Sequence, residues 1–328
     1  MIKHPILCNY YVTYRCNAKC DFCDIWEKPS PYITIESAFE NIRDLKKLGV
    51  NVIDFTGGEP LLHREIDGLL KIAKRQKMIT TLTTNGLLYP KWSKKLLGLV
   101  DMLHFSLDAF DGQMHDEMRG VACYDFVIES IKVAKSLGER PDILFTVFES
   151  NLEQIEMVYE HICRPNDLVL ILNPAFEYNE VNIGKSLNRE TLNTILKWGA
   201  KPMVYLNEAF IDLRINGGNN TQNPVCKAAS TTLVINPANE LVLPCYHLGK
   251  RKFPINDNLY ALYHSHEVQE LIKSEGKYAE CEGCTINCYM QPSFAVEFNK
   301  YWIKSLPSTI KYNRMKGTWK TLLRNYLS

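Results

Sequence analysis

Apolar positions follow two different spacings along roughly the first half of the chain. Short runs rich in β-branched and aromatic residues, such as 6–14 and 50–56, predict buried strands. Between such runs, apolar residues recur every three or four positions, as they do after Thr34, a typical helix N-cap residue, and this spacing predicts amphipathic helices. The same pattern predicts helices at 64–77, 91–99, 124–137 and 152–162, and strands at 78–84, 102–107, 142–148 and 168–173. Beyond about residue 175 the alternation weakens, and we expect a helix at 189–199 and a strand at 203–207 to complete the edge of the sheet.

This alternation of strands and helices predicts an α/β fold with a parallel sheet and right-handed crossovers. Six strands without a dinucleotide-binding fingerprint fit a partial (β/α)6 TIM-like barrel at least as well as a doubly wound sheet. In such barrels the chemistry collects at the carboxyl ends of the strands. Cys16, Glu59, Asn85 and Asp108 follow the first four predicted strands. We therefore expect these side chains to meet at one end of the barrel.

Length and composition set broad limits. With 328 residues, 46% of them hydrophobic, the chain can form one large domain, alone or with a small appendage. The formal net charge of +1 gives no reason to expect nucleic acid as a partner. The start of the chain lacks the apolar stretch of a signal peptide, and no apolar run approaches the roughly 20 residues that span a bilayer. We expect a cytoplasmic protein, with peripheral contact at the inner face of the membrane left open.

Eight of the eleven cysteines fall into two groups. Such an uneven distribution indicates metal binding in a reducing compartment rather than a framework of disulfides. The remaining Cys8, Cys123 and Cys163 lie singly in apolar or amphipathic stretches, and we expect them to be small core residues. The two groups are Cys16, Cys20 and Cys23 near the start, and Cys226, Cys245, Cys281, Cys284 and Cys288 near the end.

The first group places three cysteines within eight residues, directly after the first predicted strand. Thiolates suit iron–sulfur clusters, zinc or Cu(I). Three ligands are one short of a closed zinc site or of an electron-carrying [4Fe–4S] cluster. Either a fourth ligand comes from elsewhere in the chain, or one metal position stays open to a substrate or cofactor.

The spacing of Cys16, Cys20 and Cys23, with the aromatic Phe22 before the third cysteine, resembles the signature loop of the radical S-adenosylmethionine (SAM) superfamily. The resemblance implies that these cysteines bind a [4Fe–4S] cluster whose open iron chelates the amino and carboxylate groups of SAM. It also implies an enzyme, in which an electron from the cluster splits the sulfonium bond and generates a 5′-deoxyadenosyl radical. A one-electron donor of the flavodoxin or ferredoxin type is then an expected partner.

Gly57, Gly58 and Glu59, followed by Pro60, come directly after the second predicted strand and resemble the second motif of this superfamily. Two glycines allow the backbone to run close to a ligand. Glu59 could accept charge-assisted hydrogen bonds from the ammonium group of SAM. Standing alone, the motif would equally suit a turn with a surface glutamate.

The ends of the third and fourth predicted strands resemble those of the molybdopterin-precursor and sulfatase-maturing branches of the superfamily. The resemblance assigns Asn85, Ser106 and Asp108 to the cofactor site, with Ser106 at the ribose of SAM. It pairs Arg119 with the SAM carboxylate, which a planar guanidinium can bind through two parallel bonds. The alternative for Arg119 is a residue on a helix surface. All these pieces occur in the expected order over residues 8–175, somewhat more than half of the chain.

The second cysteine group combines a predicted hairpin with a C-x-x-C sequence. Cys226 and Cys245 flank two β-rich runs that are joined by a turn containing Asn239, and Cys281 and Cys284 follow later. From spacing alone, zinc and a [4Fe–4S] cluster are equally admissible. Because it follows a radical SAM motif in the chain, this second group resembles the twitch domain. The twitch domain is a short form of the SPASM domain with one auxiliary [4Fe–4S] cluster. Five cysteines exceed four ligands, and Cys288 is the expected spare or substitute.

These features divide the chain into a radical SAM core at 1–215, a twitch-like auxiliary-cluster domain at 216–298, and a tail at 299–328. The tail carries seven basic residues and no acidic residue, with aromatic side chains interleaved. Such an end would suit an interfacial membrane segment. A terminal helix that packs on the barrel and has a solvated basic face is the alternative. The basic residues are Lys300, Lys304, Lys311, Arg314, Lys316, Lys320 and Arg324.

The resemblance leaves the substrate open. One hypothesis is an enzyme that modifies a peptide or a small metabolite, as other members with twitch or SPASM domains do. Another is a lipid-modifying enzyme at the membrane surface, because the segment around Cys245 and the spacing from Cys281 to Cys288 resemble adenosylhopene synthase. A non-catalytic iron–sulfur sensor or zinc-binding interaction protein would need no SAM pocket, so Glu59, Ser106 and Arg119 argue against that class.

Overall fold

The architecture is a twisted sheet that curves into a partial barrel, with helices on its outer side. The structure is a computed structural model that describes residues 4–178 and 187–317. Within these ranges ten strands form one sheet, in the order β10-β9-β8-β1-β2-β3-β4-β5-β6-β7. The strands are β1 (Leu7–Thr13), β2 (Val52–Gly57), β3 (Ile79–Thr84), β4 (Met102–Ser106), β5 (Asp142–Val147), β6 (Leu170–Pro174), β7 (Val204–Tyr205), β8 (Thr232–Ile235), β9 (Glu240–Leu243) and β10 (Arg251–Pro254).

The helices follow the strands in the alternating order that the apolar pattern predicts. The helix after β1 begins at the N-cap Thr34, whose hydroxyl accepts a hydrogen bond from the backbone N–H of Ser37. The helices are α1 (Ile35–Lys47), α2 (Ile66–Arg75), α3 (Tyr89–Leu96), α4 (Gly112–Arg119), α5 (Tyr124–Ser136), α6 (Gln154–Val158), α7 (Arg164–Asn166), α8 (Arg189–Gly199), α9 (Glu208–Ile215), α10 (Ala228–Thr231), α11 (Leu259–Tyr263), α12 (His266–Lys273), α13 (Asn287–Phe294) and α14 (Lys300–Lys316).

Strands β1 to β7 pair in parallel in chain order, which confirms the predicted α/β fold. The strand predicted at 203–207 is only the short β7. The helix predicted at 152–162 is shorter than expected, because a π-helical turn, Tyr159–Cys163, follows α6. The sequence pattern also missed α4, whose polar composition gives it only two buried side chains, His115 and Arg119.

The second cysteine group belongs to a hairpin that extends the barrel sheet. Strand β8 runs parallel to β1, and β9 returns antiparallel to β8, so the predicted hairpin is confirmed. Asn239 in its turn adopts the left-handed conformation, with φ of 60°. The boundary proposed at residue 215 coincides with the end of α9, but the sheet continues across it through the β1–β8 pair. The division into domains stays a prediction.

Helix α14 packs on α9, and its basic side chains bind other parts of the protein. Lys311 Nζ donates to two backbone carbonyls at 2.7 Å, and Lys304 forms an ion pair with Asp212. Lys316 forms a buried ion pair with Asp142 at 2.9 Å. For the described part of the tail this favours the packed helix. The remaining tail residues, including Lys320 and Arg324, lie outside the described ranges. None of the helices in those ranges is long and apolar enough to cross a membrane.

Candidate active site

The first three cysteines lie on the loop that leaves β1, and the end of α4 holds this loop in place. The backbone N–H of Lys19 donates to the carbonyl of Arg119 at 3.0 Å, and that of Asp21 donates to the carbonyl of Met118 at 3.2 Å. The cysteines themselves are half-buried. Backbone hydrogen bonds therefore fix the loop, and the thiols remain available for a metal centre.

The Gly57–Glu59 turn after β2 is joined to the same loop by backbone hydrogen bonds. Gly58 N–H donates to the carbonyl of Thr13, and Glu59 N–H donates to that of Arg15, both at 2.9 Å. A Cβ atom on Gly57 would lie 1.9 Å from the Thr13 carbonyl oxygen. A glycine is therefore required at position 57 because two backbone segments meet there. The sequence analysis had expected a different reason, namely close approach of the backbone to a ligand.

Glu59 lies beneath this turn, with only 1% of its surface exposed. Its carboxylate accepts hydrogen bonds from Leu61 N at 3.0 Å, Thr84 Oγ1 at 2.8 Å and Asn85 N at 2.9 Å. Burial raises the pKa of Glu59 to about 7, although these hydrogen bonds oppose the shift. The Asn85 side chain donates to Asn17 Oδ1 at 2.8 Å, within the cysteine loop. Glu59 is thus not the surface glutamate of the alternative interpretation.

Arg119 points from the end of α4 into the site rather than into solvent. Its Nη2 lies 2.5 Å from Asp108 Oδ2, its Nη1 lies 3.9 Å from Cys20 Sγ, and its guanidinium carbon lies 5.2 Å from the centre of the Phe22 ring. Burial disfavours the charge, but Asp108 raises the pKa of Arg119 overall. Arg119 Nε is buried without a hydrogen-bond partner among the described residues. The guanidinium therefore keeps a free donor beside the cysteine loop.

Asp108 lies behind Arg119, and Ser106 is buried at the end of β4. Asp108 Oδ1 accepts a hydrogen bond from Thr146 N at 2.8 Å, so its carboxylate is bound on both sides. His115 Nδ1 accepts from Asp108 N at 3.2 Å, and its Nε2 lies 3.4 Å from Cys123 Sγ. Burial lowers the pKa of His115 to about 3, so the ring is neutral. These contacts join Asp108 to Arg119 and to β5, and the assignment of Asp108 to the cofactor site stays a prediction.

The second cysteine group is assembled from separate elements. Cys226 precedes α10 and Cys245 follows β9. Cys281 ends a short 3₁₀ turn, Cys284 lies on the loop after it, and Cys288 is in α13. Cys226 is buried, whereas Cys288 is exposed. The second group therefore joins segments that are far apart in the sequence.

Asn219 connects the distant parts of this group. Its Oδ1 accepts from the N–H of Cys226 at 3.0 Å, and its Nδ2 donates to the carbonyls of Gly276 at 2.9 Å and Cys281 at 3.1 Å. Its own N–H donates to the Cys284 carbonyl at 3.0 Å. Asn219 is 1% exposed. The sequence indicated only a loop here. Nothing in the pattern around residue 219 shows that this asparagine joins several segments through hydrogen bonds.

The spacing of the sulfur atoms distinguishes between a single ion and a cluster. A tetrahedral zinc site with Zn–S bonds near 2.3 Å brings its sulfurs to within about 3.8 Å of one another. Among the described residues, no three cysteine sulfurs lie within 4.8 Å of one another. A cluster spreads its ligand sulfurs further apart, because each sulfur binds a different iron. For the second group, zinc and a [4Fe–4S] cluster both stay predictions.

Backbone N–H groups approach the sulfur atoms of two of these cysteines. Burial raises the pKa of Cys16 and of Cys245 to about 12, and a backbone N–H opposes the shift in each case, from Ala18 and Leu248 respectively. Each of these N–H groups lies 3.4 Å from the sulfur. Such N–H···S bonds stabilise thiolate ligands.

A cavity of about 230 Å3 lies between the two cysteine groups. Cys23 and Phe22 line one side, and Tyr246 and His247, directly after Cys245, line the other. Tyr246 stacks on Tyr11 of β1, with ring centres 4.6 Å apart. The hairpin register that places β8 beside β1 thus brings the end of β9 over the barrel mouth. Sequence reasoning missed this wall, because Tyr246 and His247 lie in a turn after β9 and no local pattern shows that this turn reaches the first cysteine group.

A model of the radical SAM superfamily matches residues 10–162. A probable GTP 3',8-cyclase from Sulfurisphaera tokodaii is 30% identical over 232 residues, which are 62% of this chain and 70% of that protein. This chain belongs to the radical SAM superfamily. It is therefore a radical SAM enzyme that uses SAM and a [4Fe–4S] cluster, and it takes a reductant and a substrate. An S-adenosylmethionine-dependent nucleotide dehydratase from Siniperca chuatsi is 33% identical over 113 residues, 33% of this chain and 32% of that protein.

Solved structures of radical SAM enzymes resemble the fold of this chain over most of its length. The structure of Streptococcus suis SuiB bound to the precursor peptide SuiA has a TM-score of 0.67, with 20% identity, over 84% of this chain and 68% of that chain. At this identity the likeness shows the fold alone, and it confirms the predicted partial barrel.

Proposed function

We propose that this radical SAM enzyme modifies a small substrate that binds between two [4Fe–4S] clusters. The observation that carries the proposal is the cavity between the two cysteine groups, with Cys23 on one wall and the residues after Cys245 on the other. A substrate there would be within reach of a radical formed at the first group and of an electron acceptor at the second. The wall of aromatic side chains would exclude water from a reactive intermediate.

The first cluster would be held by Cys16, Cys20 and Cys23, and SAM bound beside it supplies the 5′-deoxyadenosyl radical. Arg119 is oriented by Asp108 and stacked on Phe22, so its free N–H can meet the SAM carboxylate. The other residues assigned to SAM are those at the strand exits around it. They are Gly57, Gly58, Glu59, Asn85 and Ser106.

The auxiliary cluster would be held by Cys226, Cys245, Cys281 and Cys284, within the segment 216–298. The Asn219 contacts support this choice, because they fix the backbone of Cys226, Cys281 and Cys284 together. Cys288 is the proposed spare thiol. An auxiliary cluster would accept an electron from the substrate or anchor it, and the external reductant would be a protein of the flavodoxin or ferredoxin type.

The cavity favours a substrate with an apolar or aromatic reacting part, such as a peptide side chain or a small metabolite. Among its described lining residues, Asp24 carries the only charge, and no lysine or arginine is present. The names of two curated relatives refer to GTP and to nucleotides, and a triphosphate would find no cation in this cavity. A lipid substrate has no comparable support, because the described basic residues of α14 that approach the barrel pair with the protein itself.

The test is anaerobic reconstitution of the full chain with iron and sulfide. Two [4Fe–4S] clusters correspond to about eight iron atoms per chain. Reduced with dithionite, the protein should convert SAM to methionine and 5′-deoxyadenosine, measured by chromatography and mass spectrometry. A preparation with four irons and active SAM cleavage would remove the auxiliary cluster from the proposal. Zinc bound at the second group would do the same.

A further inference from the structure

Four hydrogen-bonded carboxamides connect the start of α9 with the wall of the cavity between the two cysteine groups. We call them the carboxamide relay, and its members in order of contact are Asn207, Gln291, Asn287 and Asn173. A carboxamide has an oxygen that only accepts and an NH2 group that only donates. A hydrogen bond at one end of such a group therefore fixes what the other end can offer, and the orientation of each member follows from the one before it.

The relay starts at a backbone donor, which sets its direction. Asn207, the N-cap of α9, is 3% exposed, and its Oδ1 accepts a hydrogen bond from Ala209 N at 3.1 Å. Its Nδ2 donates to Ser305 Oγ at 3.0 Å and to Gln291 Oε1 at 3.5 Å. Because a backbone N–H can only donate, this orientation of the Asn207 carboxamide is fixed.

Gln291 receives a second donor at the same oxygen. The Tyr205 hydroxyl donates to Gln291 Oε1 at 2.9 Å, and burial raises the pKa of Tyr205 to about 12, so the hydroxyl keeps its proton at neutral pH. Since its oxygen faces two donors, Gln291 directs its NH2 group the other way, and Nε2 donates to Asn287 Oδ1. Asn287 Nδ2 in turn donates to Asn173 Oδ1.

The last carboxamide of the relay belongs to the cavity wall. Asn173 of β6 and its register partner Thr146 of β5 both line the cavity of about 230 Å3. The oxygen of Asn173 is bound by Asn287, and the NH2 group lies on the other branch of the carboxamide. That NH2 group is therefore the part of the carboxamide that Asn173 presents to the cavity. Asn173 supplies the only carboxamide among the described lining residues.

We propose that Asn173 determines specificity by donating a hydrogen bond to an uncharged carbonyl oxygen of the substrate. A neutral donor suits a neutral acceptor, and Asp24, the one charged residue of the described lining, offers an anion no attraction. This role of Asn173 rests on the proposed function, because it takes this cavity as the place where the substrate reacts. A carbonyl bound there would fix the neighbouring carbon atoms near Cys23, which lines the same cavity.

The relay is what makes the donor selective. Reversal of the Asn173 carboxamide would bring its NH2 group against the NH2 group of Asn287 and lose their hydrogen bond. A substrate with an N–H group in place of the carbonyl oxygen would likewise face a donor with a donor, and it would be rejected. The carbonyl could belong to a peptide bond or to a nucleobase. The lining favours neither source, so the experiment includes both.

The test measures binding to the reconstituted protein by calorimetry, with probes that differ in their hydrogen-bonding groups. Acetophenone has an aromatic ring and a carbonyl acceptor, and indole has an N–H donor and no carbonyl. The measured quantity is the affinity for acetophenone divided by that for indole. Asn173→Asp keeps the oxygen that Asn287 binds and replaces the NH2 group by an acceptor, so this ratio should fall at least about tenfold. Asn223→Asp makes the same chemical change at an exposed position and should keep the wild-type ratio.

A second variant tests the relay from outside the cavity lining. In Asn287→Asp the ionised side chain accepts from Gln291 Nε2 and from Asn173 Nδ2, so Asn173 has to turn its oxygen towards the cavity. The ratio should therefore fall in the same direction as in Asn173→Asp. Position 287 is the first residue of α13, where a negative charge is favourable, so the variant should fold and unfold at the wild-type temperature. A purely structural role of Asn287 would weaken the binding of both probes equally.

The outcomes that contradict the proposal are specific. An unchanged ratio in Asn173→Asp, or no binding of any carbonyl probe to wild type, would overturn it. An unchanged ratio in Asn287→Asp would overturn the part played by the relay. N-acetylphenylalanine amide and guanosine distinguish the sources, because binding of the first indicates a peptide carbonyl and binding of the second a nucleobase.

Formation of 5′-deoxyadenosine by the same wild-type preparation tests the proposed function independently. If that product is absent while the ratio still depends on Asn173, only the proposed function fails. If the product forms and the ratio does not change in Asn173→Asp, only the role of Asn173 fails.

Discussion

The two cysteine groups differ in how the chain assembles them and holds them in place. The first lies on a single loop of eight residues, and the second is drawn from elements between residues 226 and 288. The first loop is held by backbone hydrogen bonds from two sides, the Gly57–Glu59 turn and the end of α4. The second depends on one buried side chain, that of Asn219, for much of its cohesion. We therefore expect the second group to be more sensitive than the first to the loss of a single contact.

The largest effects are expected when a proposed cysteine ligand of either group is replaced, because each group should lose its own iron independently. Cys20→Ala should abolish the formation of 5′-deoxyadenosine while about four irons remain at the second group. Cys281→Ala should lose those irons but retain SAM cleavage. Cys288→Ser is the matched control and should keep both clusters, because Cys288 is the proposed spare. Iron analysis and product assay check all three, and loss of all iron from Cys281→Ala would refute the independence of the sites.

Asn219→Ala tests the dependence of the second group on one amide. Removal of the side chain leaves four backbone groups without their partner, each at a cost of about 1–3 kcal/mol where water cannot replace it. We expect loss of the auxiliary irons and destabilisation of at least about 3 kcal/mol, measured by denaturant unfolding. The exposed Asn223→Ala should change neither quantity. Normal iron content in Asn219→Ala would mean that the hairpin alone organises the second group.

A smaller effect concerns the pH dependence of SAM binding at the first group. Burial raises the pKa of Glu59 to about 7, and only the ionised carboxylate accepts a hydrogen bond from an ammonium. The apparent KM for SAM should therefore fall about tenfold as the pH rises from 6 to 8, because the ionised fraction rises by that factor. Glu59→Gln should give a higher KM without this dependence. The exposed Glu65→Gln should keep the wild-type profile, and the same profile in Glu59→Gln would exclude Glu59 as its source.

Much of the barrel could be predicted from the chain, because its strands and helices carry their own periodicity. The strand predicted at 78–84 is β3 (Ile79–Thr84), and the helix predicted at 189–199 is α8 (Arg189–Gly199). Helix α4 was missed because it buries too few side chains to produce an apolar stripe. The same helix carries Arg119, so the error concerned an element that matters to the site.

Some residues of the candidate site could likewise be recognised from the sequence, and others could not. Cys16, Cys20 and Cys23 stand out in the sequence because three thiols lie within eight residues, and Glu59 stands out because it follows two glycines at the end of a predicted strand. Asn219 does not, since an asparagine in a loop is ordinary until its burial is known. His115 was missed for the same reason.

The sequence by itself indicated the class of this protein, because three thiols on one loop and the strand exits that follow resemble the motifs of the radical SAM superfamily, and these motifs are local in the chain. Only the tertiary structure decided what surrounds that chemistry. The pairing of β8 with β1 brings the second cysteine group and its aromatic residues over the barrel mouth. The physical reason is that burial and charge pairing are properties of contacts between distant segments, which no local pattern along the chain records.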